Sequence, residues 1–135
     1  MIAVVVLAAA LAGLGGTSTA AGPAPKLAGC VPGSPPTVRP RAIIVACGDA
    51  NFYFTNLAWS AWSAVQAKAS GVAHLNDCRP YCAAGHFHTY RAIVTLSRPR
   101  TCTNGAREFT RLAWRYPGSA PAGLPAHGSQ PLPCR

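Results

Sequence analysis

Apolar and polar positions alternate most cleanly in the second half of the chain. Tyr90, Ala92, Val94 and Leu96 interleave with Arg91, Ile93, Thr95 and Ser97, which predicts a strand with one apolar face. A stronger pattern follows at Phe109–Tyr116. There Leu112, Trp114 and Tyr116 share one face, and Arg111, Ala113 and Arg115 share the other. Thr103-Asn104-Gly105 has turn chemistry, so these two strands are expected to pair antiparallel. Upstream, Ala42–Cys47 is a β-branched apolar run closed by the turn residues Gly48-Asp49-Ala50-Asn51. Phe52–Trp59 is rich in aromatics, which suits a further strand.

Ser60–Leu75 carries two patterns at once. Alanines at 61, 64, 67, 69 and 73 favour a helix, and Trp59, Trp62 and Gln66 fall at helical spacing. Strand spacing instead groups Val65, Ala67 and Ala69, and Gly71 tilts the segment towards β. The expected fold class is mainly β, a small disulfide-stapled antiparallel sandwich or partly open barrel.

Composition divides the chain around that core. Residues 1–21 read as a signal peptide, an uncharged apolar run that ends in small residues, with Ser18 and Ala20 suiting cleavage after Ala20. The apolar run is shorter than the ~20 residues of a spanning helix, so no transmembrane span is expected in the mature protein. Residues 22–40 read as a Pro/Gly-rich linker, 41–117 as the β domain and 118–135 as a Pro/Gly-rich C-terminal tail. Leu27-Ala28-Gly29-Cys30 also spells a bacterial lipobox, which would leave the protein lipid-anchored at Cys30. The intervening Gly22-Pro23-Ala24-Pro25-Lys26 separates it from the apolar run and argues against that reading.

Six cysteines (Cys30, Cys47, Cys78, Cys82, Cys102 and Cys134) in a short exported chain point to three disulfides. About fifteen connectivities are open. A Cys30–Cys134 bridge tying the termini is the first expectation, leaving the other four to staple the centre. Lipidation at Cys30 would strand one thiol.

The formal net charge is +9, from twelve basic residues, ten of them arginine, against Asp49, Asp77 and Glu108. Such a balance attracts anionic polymers, lipid headgroups or nucleic acid. The charges are scattered from Arg39 to Arg135 and form no specific nucleic-acid motif, and a solvated basic surface is the plainer reading. The Arg111/Arg115 face is the sharpest candidate for polymer binding.

Chemically capable side chains are densest in Asn76-Asp77-Cys78-Arg79-Pro80-Tyr81-Cys82-Ala83-Ala84-Gly85-His86-Phe87-His88. Cys78, Cys82, His86 and His88 are zinc-like in type, but the two histidines are closer than the usual spacing and an oxidising compartment bridges the thiols. No metal or other cofactor is therefore expected. Asp77 with His86 or His88 could form an acid/base pair, the basis of an alternative reading as a small secreted hydrolase or metal-dependent enzyme. The plainer reading places Asp49 and Asp77 in Asx-turns. No nucleophile elbow is present, so no catalytic residue is assigned. Phe52, Tyr53, Phe54, Trp59, Trp62 and Trp114 could stack on a sugar or a base, although aromatics in a small β core usually supply buried area. If Trp59–Trp62 is a regular strand, its two indoles point to opposite faces and one is exposed.

Ile43-x-Val45-x-Cys47-Gly48-Asp49, Leu57-x-Trp59-Ser60-x-Trp62 and Asn76-Asp77-Cys78-x-Pro80-x-Cys82-Ala83-x-Gly85-x-Phe87, continued by Tyr90-x-Ala92-x-Val94-x-Leu96-Ser97, resemble a family of small secreted actinobacterial proteins. The resemblance spans about residues 39–117 and is most specific in Cys78–Gly85. It implies export and a Gram-positive envelope setting, with no catalytic residues to transfer. Together these features favour a non-enzymatic secreted or cell-surface domain, with an anionic envelope polymer as its expected partner. A secreted inhibitor or effector is a further alternative.

Overall fold

The computed structural model describes residues 22–134, and the segment read as a signal peptide lies outside them. Six strands follow one another as an antiparallel meander: β1 (Ile43–Ile44), β2 (Phe52–Trp62), β3 (Ala67–Asn76), β4 (Phe87–Thr101), β5 (Arg107–Arg115) and β6 (His127–Pro131). They make one small, disulfide-stapled sheet that curls into an open half-barrel. No helix among the described residues is long and apolar enough to cross a membrane.

The alternations that predict β4 and β5 set their faces. Ala92, Val94 and Leu96 point inward and are buried, as are Phe109 and Leu112, while Tyr90 and Trp114 pack at the edge of the same core. Thr103-Asn104-Gly105 makes the intervening turn, with Gly105 at φ +76 and Asn104 Oδ1 accepting from Ala106 N. The ambiguous Ser60–Leu75 stretch is the end of β2, a turn, and β3. Ser63 builds that turn alone: its hydroxyl accepts from the backbone N–H groups of Val65 and Gln66 and donates to Gln66 O. Ala67 and Ala69 face the core, and Val65 sits exposed at the tip.

Two irregularities in β2 curl the sheet. The pairing with β3 slips between Thr55 and Ala58 and again between Trp59 and Ala61. Each slip is a β-bulge, which adds twist and reverses the facing of the residues beyond it. Asn56, at φ +53, forms the first, in a conformation that asparagine tolerates better than most residues. The inward set therefore runs Phe52, Phe54, Leu57, Trp59, Trp62. The two indoles do not diverge as a regular strand requires; their rings meet at 4.6 Å. Opposite the first bulge, Gly71 leaves room where β3 passes under β2.

The flanking segments are packed onto the sheet. In 22–40, Pro25 and Leu27 are buried, and the Lys26 backbone pairs with the outer edge of β5 beside Glu108, its N–H donating to Arg107 O and its carbonyl accepting from Phe109 N. The indole N–H of Trp62 donates to Pro25 O at 2.9 Å and that of Trp59 to Pro40 O at 2.8 Å. In 118–135, β6 pairs with β5 from Arg111↔Pro131 to Arg115↔His127, and Gly128 makes space for the Trp114 ring. Cys30 is joined to Cys47, Cys78 to Cys82 and Cys102 to Cys134. The expected Cys30–Cys134 bridge is thus corrected. The N-terminal segment, whose backbone pairs with β5 at Lys26, is tied to the turn between β1 and β2; the C-terminal segment, whose Leu132 N–H donates to Thr110 O, is tied to the β4–β5 hairpin.

A side chain at Gly71 meets packed atoms: its Cβ would lie 2.7 Å from Thr55 O and 2.9 Å from Leu57 Cδ2. Gly71→Val is expected to lower stability by about 1–3 kcal/mol in urea unfolding. Gly118→Val, where nothing lies within 4 Å, is expected to stay within about 0.5 kcal/mol of the parent. Equal midpoints for the two variants would contradict the close approach of β2 and β3.

Candidate functional site

Two regions gather polar chemistry. The first is the outer face of β3–β6. Period-two facing sends Lys68, Thr95, Ala113 and Ser129 outward, and the register sets them in one row across four strands: Lys68↔Thr95, Thr95↔Ala113, Ala113↔Ser129. Arg111 and Arg115 lie two residues to either side of Ala113 on β5, a separation of about 13 Å along the strand. The small Ala113 side chain leaves a shallow groove of about 460 Å³ between them. Lys68, Arg111, Arg115 and His127 line it.

No carboxylate shares that groove. Asp49 accepts from Asn51 N in the turn before β2, Asp77 is bound in the loop after β3, and Glu108 is buried at 1% exposure. These are the three acidic residues of the chain. Arg111 Nη2 donates to Ser129 Oγ at 2.6 Å, which orients the guanidinium across β6 without neutralising it. The sequence-predicted pair Arg111 and Arg115 is therefore brought to one surface. Lys68 joins them through strand order, which its position in the ambiguous segment concealed.

The second region is the loop between β3 and β4, at the mouth of the concave side. Asp77 holds it together. Its Oδ1 accepts from Arg79 N and His86 N at 3.1 and 3.0 Å, and His88 Nε2 lies 2.9 Å from its Oδ2. Asn76 works beside it, accepting from Cys78 N and donating to Asn51 Oδ1 and Cys82 O. Gly85 is required here because a Cβ would lie 2.8 Å from Cys78 N and 2.9 Å from Asp77 Oδ1. The bond from His88, followed by those from the His86 and Arg79 amides, holds the Asp77 carboxyl well below its ordinary value of 3.8. In the turn before β2, the Asn51 amide likewise lowers Asp49.

Asp77, His86 and His88 do come together, with only His88 presenting its imidazole to the carboxylate. His86 contributes its backbone N–H and carbonyl. Both Asp77 oxygens are engaged in shaping the loop, and the ring of His88 has no other hydrogen bond among the described residues. A cleft of about 550 Å³ opens beside the pair, walled by Leu75, Tyr90, Pro121 and Leu124. The Cys2His2 set does not form, since Cys78 and Cys82 are bonded to each other. Among the described residues no group of three or more His, Cys, Asp or Glu side chains is placed to hold a metal ion.

The aromatics divide between the two sides. Phe52, Phe54, Trp59, Trp62 and Trp114 pack with Phe109 along the inner face, in edge and tilted contacts with ring centroids 4.6–6.1 Å apart. Tyr53 points outward and stacks on His74 at 4.6 Å. No protein-family model, curated protein or solved structure matches this chain.

Because the folded Asp77 carboxyl titrates below its ordinary value, its contribution to stability is full above about pH 4. It is lost as pH falls from there through the lower folded value. Asp77→Asn is expected to flatten the acid limb of the thermal midpoint against pH below about pH 4, and to speed amide exchange at Arg79 and His86. Parallel pH profiles and unchanged exchange would show that the loop does not depend on this carboxylate.

Proposed function

We propose that this protein is a non-enzymatic, exported domain that acts in the medium or at the cell surface and binds an anionic envelope polymer through the outer face of β3–β6. The carrying observation is the groove around Ala113, where Lys68, Arg111 and Arg115 converge and no carboxylate is present. Cations that lack a carboxylate partner keep their charge available to a ligand, and the sheet holds their backbones in register, so that binding orders the side chains alone. Thr95 and Ser129 add hydroxyls to the floor of the same groove, suited to phosphate or carboxylate oxygens. Export is supported by the apolar leader pattern and by the pairing of all the cysteines, which an oxidising compartment sustains. The same pairing disfavours lipidation at Cys30, whose sulfur is bonded to Cys47. The resemblance to secreted actinobacterial proteins fits a Gram-positive envelope as the setting.

Binding of this kind weakens as salt screens the charges. Retention of the full chain on immobilised anionic cell-wall polymer is expected at ~0.01 M salt and to be abolished at ~1 M. Arg111→Ala combined with Arg115→Ala is expected to lower affinity about tenfold at low salt. Absence of retention at low ionic strength, or full retention by the double variant, would overturn the assignment.

A further inference from the structure

The outer face that carries the cationic groove continues, along the same strands, to an aromatic shelf at its other end. Tyr53 is turned outward because its neighbours Phe52 and Phe54 enter the core. It pairs across the sheet with His74, and the two rings stack at 4.6 Å with an interplanar angle of 6°. Thr55 Oγ1 lies 2.8 Å from His74 Nε2 and locks that ring in place. Phe87, at the start of β4, leans on Tyr53 with centroids 5.6 Å apart and a tilt of 59°, yet remains 47% exposed. Three rings are thus held in a set arrangement at the surface, while the remaining large aromatics of the sheet are spent on its core. Between shelf and groove, the outward positions of β3 and β4 are Ser70, Val72, Thr89, Arg91 and Ile93, a mixed polar and apolar track with one more guanidinium.

We infer that the polymer is a polysaccharide bearing anionic groups, lying along this face with sugar rings on the Tyr53–His74–Phe87 shelf and its acidic groups in the Lys68–Arg111–Arg115 groove. The inference rests on the polyanion reading above and adds the chemical class of the polymer. Length along β4 supports a chain rather than a small ion: Phe87 to Thr95 spans about 27 Å. Charge complementarity accounts for one end of the track only. The other end offers no Lys or Arg within the shelf; it offers ring surface and the Tyr53 hydroxyl. Pyranose C–H groups fit such a surface, and Tyr and Phe present large contact area at low entropic cost. Successive nucleobases need open ring faces on which to stack. Here Tyr53 and His74 cover a face of each other, and Phe87 is tilted against Tyr53, so the shelf offers no ladder of parallel open faces.

Polygalacturonate and polyphosphate separate the two contributions, since both are polyanions and only one is built of sugar rings. Binding of the full chain to each is measured at low salt for the parent, Phe87→Ala, Phe87→Trp and the Arg111→Ala/Arg115→Ala variant. Thermal midpoints confirm folding of each. Phe87→Ala is expected to weaken polygalacturonate binding about fivefold and leave polyphosphate unchanged, and Phe87→Trp to retain both. The arginine variant is expected to weaken both. If Phe87→Ala leaves both polymers unaffected while the arginine variant weakens both, the shelf inference falls and the polyanion reading stands. If the parent binds neither polymer, both fall. Equal losses for Phe87→Ala on the two polymers, or tighter shelf-dependent binding of a single-stranded oligonucleotide than of polygalacturonate, would likewise overturn the polysaccharide assignment.

Discussion

A sheet that curls without closing leaves two strand edges, and everything else in this molecule is arranged around covering them. β1 and β6 do not pair; the Gln130 side chain reaches across to Val45 O at 3.1 Å. Free edges expose backbone donors and acceptors and invite association. The N-terminal segment supplies the cover. Lys26 continues the outer edge of β5 where β6 ends, Leu27 fills the seam, and two tryptophan indoles clamp Pro25 and Pro40. The Cys30–Cys47 and Cys102–Cys134 bonds hold these covers in place across separations of 17 and 32 residues. In the chain-entropy account each contributes about 3–4 kcal/mol, a large share of the ~5–15 kcal/mol net stability of a domain. Cys78–Cys82, four residues apart, closes so short a loop that its stabilising role is local.

The same constraint decides which side of the sheet displays polar side chains. The concave side is filled by the aromatic and aliphatic core, with the cleft beside Asp77 and His88 opening at its mouth. The convex side is free, flat in its side-chain alternation, and stiffened by four consecutive antiparallel pairings. That is where the unpartnered cations and the outward rings are displayed. The acidic residues are kept away from it by having structural duties. Asp49 and Asp77 fold turns, and Glu108 is buried beneath the N-terminal segment, bonded through Oε1 to Asn104.

Much of the sheet is legible from strict alternation. Tyr90–Leu96 and Leu112–Tyr116 declare their faces because both strands are half-buried, and the Asx-turn chemistry of Asp49 and Asp77 can be read from their neighbours. The pair Arg111 and Arg115 follows from the same alternation. What resists reading has physical causes. The bulges of β2 break the period at Asn56 and Ser60, so the shared facing of Trp59 and Trp62 contradicts their spacing. Ser63 makes a turn with its hydroxyl in place of the usual glycine or proline, and the alanines around it imitate a helix. β6 is Gly/Ser/Pro-rich and gains its structure from pairing with β5, a tertiary effect with no local signature. Lys68 joins the outer row and His74 the Tyr53 stack only through register, and a disulfide connectivity reports which segments dock, which spacing does not encode.

The terminal segments pack onto the open sheet, the first tied to the turn between β1 and β2 and the last to the β4–β5 hairpin. Peptide mapping of the unreduced protein by mass spectrometry tests it directly. Three linked pairs are expected: Cys30 with Cys47, Cys78 with Cys82 and Cys102 with Cys134, with no free thiol. A peptide joining Cys30 to Cys134, or free thiols at either end of the chain, would contradict it.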